Sequence, residues 1–134
     1  MNSLDLKILK AITTNNIIGL EFCYMFSHDV FDVNSQLFAK LVISYVKSFK
    51  AIPTRRTLKE WHGDSYFSVI DLFCSKLESF EYDLNEYNFD LQKLKDRYVD
   101  RTVREIKEVA EDGNSVKNIS LKLQNIKAIN EGRG

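Results

Sequence analysis

One proline and five glycines are spread over 134 residues, too few chain breakers for a fold of many short strands joined by tight turns. Cysteine is equally scarce. Cys23 and Cys74 cannot build a disulfide framework, and their apolar surroundings read as buried, reduced thiols of an intracellular, cytoplasmic chain. Net charge is absent as well, with 19 Lys plus Arg against 19 Asp plus Glu. A surface that is basic throughout, the usual footprint of a nucleic-acid binder, is thereby excluded. No apolar run is long enough to span a membrane, and Met1-Asn2-Ser3-Leu4-Asp5 lacks the basic stretch and apolar core of a signal peptide. The glycines, at 19, 63, 113, 132 and 134, have neither P-loop nor dinucleotide-fingerprint spacing. Without backbone amides free to close around phosphates, this chain is not expected to hydrolyse ATP.

What is present is apolar residue at helical spacing. Hydrophobic residues make up 44% of the chain, enough for a core. Ser3 is placed to cap a first helix through Leu6, Leu9 and Ile12, which stops at Thr13-Thr14-Asn15-Asn16. Ile17 to Phe26 is so densely apolar that a buried helix and a buried strand both fit; helix is preferred, with Gly19 counting against it. Asp32 or Asn34 caps a third helix whose stripe runs Leu37, Phe38, Leu41, Val42, Tyr45, Val46, Phe49. Pro53 bars its continuation, Thr54 caps a short helix holding Leu58 and Trp61, and Gly63 closes it. Ser65 opens another, with Phe67, Ile70, Phe73, Leu77 and Phe80. Glu81 to Asn88 has no period and reads as a connection. From Phe89 to Asp112 one seam gathers Leu91, Leu94, Tyr98, Val99, Val103, Ile106, Val109 and Ala110. Gly113 with Asn114 or Ser115 makes a turn into a last helix with Val116, Ile119, Leu123 and Ile126. The expected fold is all-α: a small helical globule over residues 1–87, then a long antiparallel hairpin and the start of a linker over 88–134.

Two long helices joined by a short turn bury only the faces they turn to each other. The seam of Tyr98, Val103, Ile106, Val116, Ile119, Leu123 and Ile126 is therefore the candidate self-association interface, with packing inside the chain itself as the plainer reading of the same stripe. Lys47, Lys50, Arg55, Arg56 and Lys59 form a second candidate, a basic run without an intervening acid that could meet a partner; a solvated face is the plainer reading. The sign reverses in Glu78, Glu81, Asp83, Glu86 and Asp90, with Lys76 alone against them. Trp61 and the many Phe and Tyr residues are expected in the core. His28, His62, Cys23 and Cys74 have no finger-like spacing, so no metal or other cofactor is expected. No nucleophile, base and oxyanion set is recognisable, so no catalytic residues are assigned and the chain is not expected to be an enzyme.

Three segments resemble the N-terminal domain of DnaB-like replicative DNA helicases, especially the bacteriophage forms. Asp29-Val30-Phe31-Asp32-Val33-Asn34-Ser35-Gln36-Leu37-Phe38-Ala39-Lys40-Leu41 is similar to that family's Phe-containing loop and the capped helix after it. Ser44 to Leu58 is similar to the end of that helix, a polar turn and a short helix beginning near a Thr-Leu pair. Leu94-Lys95-Asp96-Arg97-Tyr98-Val99-Asp100-Arg101 resembles the opening of the family's helical hairpin. The resemblance implies a non-catalytic domain whose parent, an ATP-dependent helicase, carries its motor elsewhere. It implies dimers through the hairpins, a collar on a hexameric ring, and docking of primase or a helicase loader, in the bacterial host cytoplasm if the chain is phage-encoded. Weak or no direct DNA binding and no membrane association are expected. The alternative is a free-standing helical adaptor such as a loader or regulator, separable by asking whether the reading frame continues past Gly134 into a P-loop domain. A DNA binder using Thr54 to Trp61 is a further rival that the neutral charge opposes.

Overall fold

The computed structural model describes residues 3–111 and 116–131, with side chains over 3–110 and 122–129. Seven α-helices and no strand occur among the described residues. They are α1 (Ser3–Thr14), α2 (Asn16–Met25), α3 (Val33–Phe49), α4 (Arg55–His62), α5 (Phe67–Glu78), α6 (Tyr87–Glu111) and α7 (Val116–Glu131), with single 3-10 turns at His28–Val30, Asp64–Tyr66 and Leu84–Glu86. The chain is all-α, as its turn-poor composition requires.

The ambiguous stretch after Asn15 is helical. Asn15 both ends α1 and starts α2, its side chain accepting from the Ile18 amide at 3.0 Å. Gly19 is there because α1 and α2 approach so closely. A Cβ at this position would lie 2.4 Å from the Ile12 carbonyl oxygen and 2.5 Å from Ile52 Cγ2. α3 ends before Pro53, at Lys50, whose backbone is left-handed (φ 56°, ψ 34°) and whose amide reaches the Val46 carbonyl at 2.8 Å. Lysine in this conformation costs about 1 kcal/mol relative to the glycine usual there. Thr54 and Thr57 make a reciprocal cap on α4: the Thr54 hydroxyl accepts from the Thr57 amide at 3.2 Å and Thr57 Oγ1 from the Thr54 amide at 2.8 Å. Gly63, at φ 90°, closes α4. α5 starts at Phe67 rather than Ser65, because Asp64–Tyr66 winds more tightly first, and it ends at Glu78, leaving Phe80 outside. Its last turn is closed by Lys10, which donates to the Leu77 carbonyl at 2.7 Å.

One core unites these helices. Phe22 packs on Phe26 and Phe31, and Phe38 stacks on Phe73 with ring centroids 4.7 Å apart. Ile8, Leu9 and Ile12 of α1 close the cluster from one side, Ile70 and Leu77 of α5 from another. Leu94 and Tyr98 of α6 and Ile129 of α7 belong to the same cluster, so the core crosses the division between residues 87 and 88. Cys23 is buried; Cys74 is only half-buried, because α5 lines a cleft with its rim there.

Candidate functional site

α6 and α7 run antiparallel. Glu105 pairs with Lys122, while Tyr98 lies level with Asn125 and Ile129 around a common cleft. The seam expected from the sequence divides along its length. Its inner end is inside the globule: Tyr98 is buried, its ring is covered by the Arg101 guanidinium, and Thr102 donates to its carbonyl at 2.8 Å. Tyr98 therefore contributes to the core rather than to an open face, because the first turns of α6 lie on α1 and on the turn His28–Val30. Further out, Ile106 and Ile126 are half-buried, whereas Val103 is 39% and Leu123 53% exposed. The side chains of Val116 and Ile119, and residues Gly113, Asn114 and Ser115, lie outside those described.

Two arginines bolt α6 to the globule. Asp5, fully buried in the first turn of α1, accepts from Arg97 at 2.5 Å and from the Asp32 amide at 3.3 Å. Arg97 also faces Asp32 at 3.5 Å and donates to the Val30 carbonyl at 3.3 Å. Arg101 donates to the Phe31 carbonyl at 3.1 Å and to that of Asp29. The loop from Asp29 to Phe31 is thus held by its backbone oxygens. Nothing in the sequence pairs Asp5 with an arginine 92 positions away. The only cue was an acid between Leu4 and Leu6, where the helix dipole explains it equally well.

The basic run does not survive folding as one patch. Arg55 lies 3.7 Å from Asp71 and 3.6 Å from Glu78, and donates to Ser75 Oγ at 2.7 Å. Arg56 makes two 3.2 Å contacts to Glu60, one turn on. Lys59 sits 2.7 Å from Asp71 and over the Phe67 ring. Lys47 and Lys50 are exposed with no carboxylate partner among the described residues. The acidic stretch is likewise divided, since Asp90 is buried and accepts from the Tyr82 hydroxyl at 2.5 Å, and Glu78 faces Arg55.

The aromatics require one correction. Phe22, Phe31, Phe38 and Phe73 are core, but Tyr24 is 76%, Phe49 50% and Trp61 43% exposed. Phe49 and Trp61 fall at the last turns of α3 and α4, where the helices end without another layer above them. They satisfy each other instead: Tyr45, Phe49 and Trp61 form a three-ring cluster with centroids 4.6 to 5.8 Å apart. His62 beside it is held by the Leu41 carbonyl at 2.8 Å, and His28 lies 3.3 Å from Asp29. Among the described residues no group of three His, Cys, Asp or Glu side chains is placed to hold a metal ion. Nor is any helix among them long and apolar enough to cross a membrane.

Comparison with known protein families, with curated proteins and with solved structures finds no match to this chain.

Proposed function

We propose that this chain is the non-catalytic N-terminal domain of a phage-type replicative DNA helicase, acting through association geometry and docking rather than bond chemistry. The observation that supports this reading best is the hairpin. Its inner half is anchored by Leu94, Tyr98, Arg97 and Arg101, while its outer half carries Val103 and Leu123 into solvent. An antiparallel helix pair that leaves apolar side chains in solvent is suited to joining a second copy. Two such domains back to back would set subunit spacing in a collar, leaving the globules free to receive primase or a loader.

Val103 and Leu123 are the positions at which to test association. Both are exposed, so glutamate there adds charge without burying it. The expected result is a dimer or larger assembly by light scattering at tens of micromolar, reduced to monomer in Val103→Glu and Leu123→Glu with helicity unchanged by circular dichroism. A parent chain that is monomeric at that concentration contradicts the proposal.

A further inference from the structure

We propose that the ends of α2, α3 and α4 form a docking face for an acidic partner-protein segment that also carries apolar side chains. This names the partner chemistry for the docking half of the proposed function and does not depend on hairpin pairing.

From Val33 to Lys59 the chain contains no Asp or Glu. The fold neutralises Arg55, Arg56 and Lys59 with carboxylates from α4 and α5, but leaves Lys47 and Lys50 with no carboxylate partner among the described residues, and it leaves the rings of Tyr24, Phe49 and Trp61 exposed. Lys50 Nζ lies 5.5 Å from the centre of the Tyr24 ring and donates to the Lys47 carbonyl at 2.9 Å. Phe49, its chain neighbour, turns the other way to meet Trp61 edge-on, with 5.2 Å between ring centres. These contacts bring the ends of α2, α3 and α4 together, with the cations and the rings spread over them.

Lys50 carries the argument further. It is the only non-glycine with positive φ among the described residues. Glycine would close α3 there without strain; lysine instead places a cation at the C-terminal end of the helix, where its ammonium group donates to the Lys47 carbonyl.

The chemistry favours acidic protein over nucleic acid. Forked guanidinium groups recognise phosphate best, yet both arginines of this run are already engaged by carboxylates. Single strands stack on open ring faces. Here one face of Tyr24 is covered by Lys50, and Phe49 and Trp61 meet at 78°. What remains is an aromatic knob and two ammonium groups that meet no carboxylate among the described residues. That complements a segment in which carboxylates alternate with apolar side chains.

The test uses the full chain and three dye-labelled probes: a short amphipathic Glu/Leu/Phe peptide, the same peptide with Lys for Glu, and an oligothymidylate. Fluorescence anisotropy measures binding, and amide NMR shifts locate it. The acidic peptide is expected to shift amides around residues 45–50 and 61 and to bind about tenfold more weakly to the Lys47→Glu/Lys50→Glu variant. Lys50→Gly should raise Tm by about 2–4 °C yet weaken the acidic peptide, which a purely structural lysine would not do. Acidic and basic peptides binding equally, unchanged affinity in the double variant, or the oligonucleotide shifting these amides in preference would each overturn the proposal. Light scattering on the same samples keeps the two questions apart: a dimer that ignores the acidic peptide refutes this face and leaves hairpin association standing.

Discussion

Asp5 and Arg97 are the side chains whose environment departs furthest from what their positions in sequence imply. A carboxylate with no exposed surface is tolerable only because Arg97 and the Asp32 amide replace its water. Asp5→Ala takes away the nearest carboxylate of Arg97 and should cost about 3 kcal/mol in urea denaturation. Arg56→Ala removes a solvent-exposed pair with Glu60 and should leave the midpoint unchanged. The thiols differ in the same way. Burial pushes Cys23 up to about 12 from 9.0, with Lys47 opposing. Burial also raises the Tyr87 phenol, with Glu21 adding to the effect. The folded chain keeps these protons where the unfolded chain loses them, so the associated stability is complete below about pH 9 and is lost progressively as pH rises from there through about 12. The denaturation midpoint should therefore fall between about pH 9 and pH 11, less steeply in Cys23→Ala. A thiol reagent should modify Cys74 in the native chain and Cys23 only after denaturation.

At the scale of elements, the boundaries legible in sequence were those set by local chemistry. Thr54, Gly63 and the bar at Pro53 act within one turn of themselves, so the residues alone reveal them. Gly19 illustrates the other case. Read locally it counts against a helix; in the fold it is what lets α2 lie on the Ile12 carbonyl. Gly19→Ala should therefore destabilise by about 1–3 kcal/mol although alanine is the better helix former, because backbone must move to admit the methyl group. The helical periodicity of α6 was visible, but not which turns belong to the globule. That depends on Asp5 and on the loop carbonyls that Arg97 and Arg101 reach, contacts that span most of the chain.

For the molecule as a whole, composition and period were enough for the all-α class, while the surfaces were only partly legible. A run of five cations is a sequence fact; that three of them meet acids from other turns and helices is a fact of the fold. The exposed Phe49 and Trp61 were hidden by a stripe that looks like core until the helix ends are placed. The hairpin remains the feature on which the account turns, since Val103 and Leu123 stand outside a core that has already absorbed Leu94, Tyr98 and Ile129. Amide hydrogen exchange at two protein concentrations tests it most directly. If copies join through this ridge, exchange in the outer half of α6 and the facing part of α7 slows at high concentration while α1 to α5 stay unchanged. Exchange independent of concentration along the whole hairpin would contradict the account.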